Sequence, residues 1–404
     1  MISLDPALVA AAVARLADAD AARARRYPGD PGTRQPVHTC YVPANRLAAD
    51  TPRRWGAEAL ALLDTHEWAV SPRVIEKLRR EPIEDLRIDF EDGYGAPEDS
   101  VEDADAVRAA RYAVAWDPAP PWFGLRVKSF DTPRLRDRSI RTLDVFLTAL
   151  LGAAGGLPDG FVVTFPKVTD VVQVEVFAEI LALLEARLGL ADGAVRFEIQ
   201  VETAQAIIDG TGRLALPGWI TAGAGRVTGF HFGTYDYTAA CGLGAADQHL
   251  AHDACDFARH VMQVAAAETG VRISDGSTNV LPVGDAVLHG WRTHYDLVRR
   301  SLSHGFYQGW DLHPGQLVTR YAAVYDYFRA GAVADAARLK AYVEGSGGAV
   351  ADEPATAQAL SRSFLRALEC GVLTAEEITE LTDLPVASLS ALARREPVRP
   401  STLE

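Results

Sequence analysis

The 404-residue chain has only four cysteines, Cys40, Cys241, Cys255 and Cys370, and none stands at the short paired spacing of a zinc ribbon or disulfide framework. They suit a reduced cytoplasm and read as small core residues. No run approaches the about 20 apolar residues needed to span a bilayer. The opening stretch, "MISLDPALVAAAVARLADADAARARRY", lacks the basic start, apolar middle and small-residue cleavage site of a secretory signal, and reads as an amphipathic helix. No glycine-rich phosphate loop follows the first strand-like run, which removes the main mark of a dinucleotide-binding sheet. Internal repeats and low-complexity tracts are missing. Positive charge is also short: 54 acidic residues against 40 basic ones give a formal charge of −14. Such a surface disfavours nucleic acid and anionic membrane as partners. It leaves room for an anionic small substrate, because a few arginines or one divalent cation reverse the field inside a pocket.

With 48% hydrophobic and 23% charged residues, the chain has the composition of a globular protein with room for one barrel-sized domain and an appendage. Strand-like runs occur at 37–44, 86–93, 122–129, 160–168, 195–204, 227–237, more weakly at 272–283, and at 305–312. Helical periods lie between most of them, as at 171–190 and 247–270. Eight strands alternating with helices fit an α/β fold of the (β/α)8 TIM-barrel type better than an open doubly wound sheet. Beyond about residue 325 the strand signal stops and only helical patterns continue, the last interrupted near Pro385. The expected organisation is an N-terminal helical segment over 1–35, a barrel over 36–325 and a C-terminal helical extension over 326–404. That extension reads as a lid or an oligomerisation arm. Its glycines at "EGSGGAVADEP" suit a hinge beside Asp352 and Glu353. Apolar stripes such as "FLRALECGVL", which a complete barrel does not need, point to a homo-oligomer.

The run "LRIDFEDG" at 86–93 begins as an alternating strand and ends in crowded acids. Asp89 and Glu91 share one strand face, and Asp92 turns the corner at Gly93. Carboxylates this close repel one another unless a cation or proton donor sits among them. In a barrel, chemistry gathers at the carboxyl ends of the strands. Those ends carry Arg46; Asp89, Glu91 and Asp92; Arg126 and Lys128; Lys167; Glu198, Gln200 and Glu202; Asp236; and Asp311 and His313. Acids from several strands around an arginine suit Mg²⁺ or Mn²⁺, which take one or two carboxylates and keep waters for substrate oxygens. Plainer roles exist for each. Arg126 suits a structural ion pair, Glu202 a helix cap, Asp236 an Asx-turn and His313 a hydrogen-bonded rim position.

Seven of these segments, in chain order, resemble the citrate lyase β-subunit and its relatives, grouped with the metal-dependent 2-oxo acid aldolases. They are "YVPANR", "IDFEDGYGAPED", "LRVKSFDTP", "FPKV", "QVETAQAI", "FGTYDYTAACG" and "GFYQGWDLHPGQ". The resemblance implies that Glu202 and Asp236 bind Mg²⁺ (or Mn²⁺). It also implies that Arg126 holds the substrate's carboxylate and enolate, with Lys128 and Lys167 as further substrate ligands. Glu91 and Asp92 would orient water or move protons, and a trimer or its multiple is the implied assembly. Ser100 stands where relatives often carry lysine, and Tyr235 where the coenzyme A lyases usually have an acid.

The reaction this implies is carbon–carbon bond cleavage or formation beside a carbonyl, through a metal-stabilised enolate of a small 2-oxo acid or acyl-CoA-type substrate. No lysine Schiff base is required, although Lys128 and Lys167 keep that route open. An acyl-CoA thioesterase or synthase on the same barrel is the nearest alternative. A non-catalytic ligand-binding or assembly subunit is the more distant one.

Overall fold

Along the second strand, Leu86 and Ile88 alternate with Asp85, Arg87 and Asp89, and all five are buried. That pattern requires two buried faces, one against helices and one inside a barrel. The computed structural model, which describes residues 4–345, 353–396 and 398, has both. Its strands are β1 (His38–Pro43), β2 (Asp85–Asp89), β3 (Trp122–Arg126), β4 (Phe161–Phe165), β5 (Arg196–Val201), β6 (Val227–Phe232), β7 (Arg272–Ser274) and β8 (Gly309–Asp311). They pair in parallel in the order β7-β6-β5-β4-β3-β2-β1-β8. A parallel bridge from Ser274 to Gln308 and a 2.8 Å bond from the Asp275 N–H to the Gln308 carbonyl bring β7 and β8 together. The fold is a (β/α)8 barrel with extra helices.

The outward faces carry the apolar core. Leu86, Ile88, Leu125, Val163, Phe165, Ile199 and Phe230 are fully buried against the helical layer, each worth about 1.5–3 kcal/mol relative to exposure. The inward faces are polar. Arg87 pairs with Asp85, reaches Glu198 at 2.7 Å and donates to Thr164 Oγ1 at 3.0 Å; Glu198 in turn meets His231 Nε2 at 3.1 Å. Burial raises Asp85, whereas Glu198 is held well below the carboxylate range because Arg87 and His231 outweigh its burial. Branched apolar side chains usually fill this space; here an ion-pair network does.

Several expectations need correction. The N-terminal segment is two helices, Pro6–Ala14 and Ala17–Arg26, and no residue in either is buried. The first is apolar nearly all round and the second polar nearly all round, so neither presents the single stripe that would dock it. The helix expected over 247–270 is Asp253–Ala266, because His252 Nδ1 accepts from the Ala254 N–H at 3.1 Å and sets the start late.

The last barrel helix runs unbroken from Pro314 to Glu344, straight through residue 325. The stripe "FLRALECGVL" is covered within the chain: Phe364, Ala367, Val372 and Leu373 are buried, and Tyr325 donates to the Cys370 carbonyl at 3.1 Å. Those buried residues are therefore taken up by the chain's own core, with Leu365 and Leu368 half-buried beside them.

The C-terminal helices Pro354–Glu369, Ala375–Thr382 and Val386–Ala393 contact residues that precede strands. Arg366 lies 4.6 Å over the Tyr307 ring just before β8, and Arg362 reaches Glu268, just before β7, at 3.8 Å. These helices stand at the amino end of the barrel, away from the acids that a lid would cover. Residues 346–352 of the expected hinge, Asp352 included, lie outside the described residues. No helix among the described residues is long and apolar enough to cross a membrane.

Candidate active site at the carboxyl end of the barrel

Lys167, two residues beyond β4, has φ of 51°, a left-handed conformation that a side chain adopts only under outside constraint. This turn aims the Lys167 N–H at Glu202 Oε1, 2.8 Å away. It also sets Nζ 2.7 Å from Glu91 Oε1, 2.8 Å from Asp92 Oδ2 and 3.3 Å from Asp236 Oδ2. Four acids from three loops thus converge on one lysine.

Arg126 is the second cation. Its Nε and Nη2 fork onto Asp89 at 2.7 and 2.8 Å, and its guanidinium lies 4.9 Å over the Tyr41 ring. Its remaining Nη1 faces Glu91 Oε2 at 3.2 Å and Gln200 Oε1 at 3.5 Å. Gln200 Nε2 then donates to Glu202 Oε2 at 3.1 Å, linking the arginine to the buried glutamate. Gly233 makes this possible: a Cβ there would fall 2.4 Å from Glu202 Cβ and 2.6 Å from its Oε2.

Charge in this mouth is unbalanced. Burial first, then repulsion from Glu91 and Asp236, push Glu202 up to about 8 against the pull of Lys167 and Arg126. Burial likewise raises Glu91 despite Arg126 and Lys167. Asp92 goes the other way, because hydrogen bonding and charge from Lys167 outweigh its burial. Neighbouring carboxyls whose affinities for a proton are driven apart are what acid–base chemistry uses.

The plainer readings resolve individually. Arg126 does form a structural pair, with Asp89, but keeps Nη1 turned to the cluster. Thr203, whose Oγ1 accepts from the Ala206 N–H at 3.2 Å, caps the helix after β5, so Glu202 is not its cap. Asp236 lies in the first turn of the helix Thr234–Ala240. His313 caps the helix Pro314–Glu344 by accepting from the Gly315 N–H at 3.1 Å. Arg46 is exposed in the short turn Ala44–Arg46.

Three expected rim residues stand elsewhere. Lys128 donates to the Phe90 and Gly95 carbonyls at 2.6 and 2.9 Å and meets Glu102 at 3.2 Å, so it ties β3 to the helix Asp99–Ala113 and does not join the cluster. Glu198 lies deeper, in the ion-pair network of the barrel interior. Asp311 faces the helices, where His38 Nδ1, His294 Nε2 and Arg320 Nη2 approach it at 2.8, 3.0 and 2.9 Å. Asp311 is excluded by strand alternation, Glu198 by its depth on the inward face, and Lys128 by lying beyond the end of β3. Tyr41 and the linking role of Gln200 were legible from that same alternation on β1 and β5.

Among the described residues, the trio of possible ligands with every ligand atom within 4.8 Å of the others is His38, Cys40 and Asp311. Its carboxylate is already engaged by two histidines and an arginine, which leaves no lone pair for an ion. The mouth acids are spread around Lys167 instead. Their excess negative charge and all-oxygen donors fit a hard dication, which needs only one or two carboxylates beside waters and substrate oxygens.

Fold and mouth together define a (β/α)8-barrel protein with a cluster of acids at the carboxyl ends of its strands. The chain belongs to the DUF6986 family, a domain of unknown function whose family model matches residues 16–397. No curated protein matches it. Solved structures do share its fold. A citrate lyase from Burkholderia xenovorans LB400 is 19% identical, with a TM-score of 0.59 over 86% of this chain and 97% of that one. A Haloferax volcanii malate synthase in a magnesium/glyoxylate complex is 14% identical, with a TM-score of 0.53 over 90% and 98%. The Mycobacterium tuberculosis protein CitE, in complex with magnesium, acetoacetate and coenzyme A, is 19% identical, with a TM-score of 0.50 over 84% and 99%. At these identities the likeness is one of fold.

Proposed function

We propose that this protein is a Mg²⁺- (or Mn²⁺-) dependent enzyme that cleaves or forms a carbon–carbon bond beside the carbonyl of a small 2-oxo acid or acyl-CoA-type substrate. The observation that carries this reading is the charge excess at the carboxyl mouth, where Asp89, Glu91, Asp92, Glu202 and Asp236 face only Arg126 and Lys167. Fold relatives crystallised with magnesium and with glyoxylate or acetoacetate support it. Glu202 and Asp236 would hold the ion. When bound, it supplies a Lewis acid that draws charge onto the substrate's carbonyl oxygen.

The chain's own residues do the rest. Arg126, pinned by Asp89 and Tyr41, presents Nη1 to the developing enolate oxygen without having to reorganise. Glu91, whose affinity for a proton is raised by burial, is the base that takes the substrate's hydroxyl proton, and Asp92 is held on the ionised side by Lys167. Lys167 holds the mouth together until substrate arrives, then turns its ammonium to the substrate carboxylate. Lys128, already bound by two carbonyls and Glu102, takes no part. A homo-oligomer, trimer or multiple, is part of the proposal, with light scattering as its check.

The test is a calorimetric titration with Mg²⁺ in the presence of pyruvate, oxaloacetate or glyoxylate, followed by a turnover screen of oxo acids and acyl-CoA esters. Mg²⁺ binding that tightens with an oxo acid, together with a carbon–carbon cleavage product, supports the lyase. Release of free coenzyme A without carbon–carbon cleavage would assign a thioesterase. Binding of neither Mg²⁺ nor oxo acid overturns the enzyme reading in favour of a non-catalytic subunit.

A further inference from the structure

The opposite end of the barrel has a cavity of its own, of 520 Å³, within the usual range for small-molecule sites. It opens among the residues that start the strands, away from Lys167. Four arginines line it: Arg34, Arg87, Arg196 and Arg272. Two are fully occupied. Arg34 meets Glu81 and Glu84 at 2.9 and 2.7 Å, and Arg87 is held by Asp85 and Glu198.

The other two lack a carboxylate partner. Arg272 gives Nη2 to the Thr33 carbonyl at 2.6 Å and to Thr33 Oγ1 at 2.7 Å, both neutral. Arg196, the exposed first residue of β5, has a guanidinium that makes no hydrogen bond or ion pair among the described residues. Nearby acids do not close the gap. Asp30 and Glu369 act on Arg272 only at a distance, Arg366 opposes them, and the exposed Asp159 sits at the cavity's edge. Burial accordingly pushes Arg272 below the ordinary arginine range. A desolvated guanidinium with only neutral partners is costly until an anion completes it.

The remaining walls are apolar: Trp122, Leu157, Pro158 and Phe161. We propose that this cavity is a second ligand site, which binds a small organic anion, a carboxylate or phosphate on a compact apolar body. Arg196 and Arg272 take the anionic group, and the Trp122 wall takes the apolar part. The site stands independently of the reaction proposed at the other mouth, because the two share no residue.

The full-length protein in EDTA, titrated with benzoate and with phenyl phosphate, tests this by calorimetry and by tryptophan fluorescence, with a Trp122→Phe variant to assign the optical signal. At least one probe is expected to saturate, and Arg196→Gln is expected to weaken that binding tenfold or more. The exposed Arg196 side chain holds no hydrogen bond or ion pair among the described residues, so that variant should keep the wild-type melting temperature. Arg272→Gln provides a second variant, and Glu202→Gln at the far mouth should bind as wild type does. Saturation by phenyl phosphate alone assigns a phosphate ligand, and by benzoate alone a carboxylate. The proposal is overturned if neither probe saturates, if both arginine variants bind as wild type does, or if Glu202→Gln removes the binding.

Discussion

At the carboxyl mouth Asp89, Glu91, Asp92, Glu202 and Asp236 crowd around Lys167 and Arg126, whereas at the amino mouth four arginines frame a cavity in which only two find carboxylates. One strand shows the contrast. The inward residues of β5 run from Arg196 through Glu198 and Gln200 to Glu202, just past its end, so a single alternating segment is basic at one mouth and acidic at the other. Between them the Arg87–Asp85–Glu198–His231 network fills the interior. Paired charge in the middle is compensated and structural; charge that exceeds its partners at either end is available for a ligand of opposite sign.

The largest expected effect separates the mouths outright. Glu202→Gln and Asp236→Ala should abolish Mg²⁺ binding in calorimetry while leaving the melting temperature nearly unchanged, because glutamine keeps the shape and an acceptor oxygen of the buried Glu202 and water replaces the half-exposed Asp236 carboxylate. Near wild-type affinity in either variant would remove the acidic mouth from the metal chemistry. Arg126→Lys comes next. It should keep Mg²⁺ but lower turnover by about 10²–10³-fold, since lysine has no planar fork to hold Asp89 while pointing a third donor at the substrate. Unchanged turnover would make Arg126 purely structural.

The network between the mouths gives a stability test. Arg87→Met leaves Asp85 and Glu198 buried without their arginine and should cost about 3–5 kcal/mol in denaturant unfolding. A loss under about 1 kcal/mol would mean that water replaces the guanidinium and that the interior is wet.

A pH series sharpens the same comparison. Glu202, held at about 8 in the folded chain, must lose its proton before a cation binds, so Mg²⁺ affinity should fall about tenfold per pH unit below 8 and level off above it. Without metal, the unfolded chain releases this proton near the ordinary glutamate value while the folded chain keeps it. This group therefore lowers stability as pH rises from the ordinary value to about 8. PH-independent Mg²⁺ affinity between 6 and 8 would show that Glu202 is not the ligand. The smallest effect should come from outside both mouths. Removing residues 1–27, of which none described is buried, should change stability by less than about 0.5 kcal/mol. A larger loss would reveal that these helices pack on another copy.

Much of the mouth was legible from the chain. Glu91, Asp92, Lys167, Glu202 and Asp236 stand at strand ends and do converge, because a parallel barrel brings every such end to one rim. Lys128 was misread because β3 ends at Arg126; beyond that point alternation no longer says where a side chain goes. Asp311 was misread for the opposite reason: it lies within β8, on the face that turns outward. The apolar stripe at 364–373 looked unpartnered because the element that covers it, the helix Pro314–Glu344, runs on beyond the barrel without a break.

Local pattern was enough for eight strands, their parallel pairing and the acids at their ends, since period and alternation are properties of neighbouring residues. Only the closed barrel decided that Lys167 would stand among four acids, that Glu202 would be desolvated beside them, and that Arg196 and Arg272 would meet at the far mouth without carboxylate partners. Residues far apart in the chain set those fields, and burial, which no stretch of sequence displays, fixes their strength.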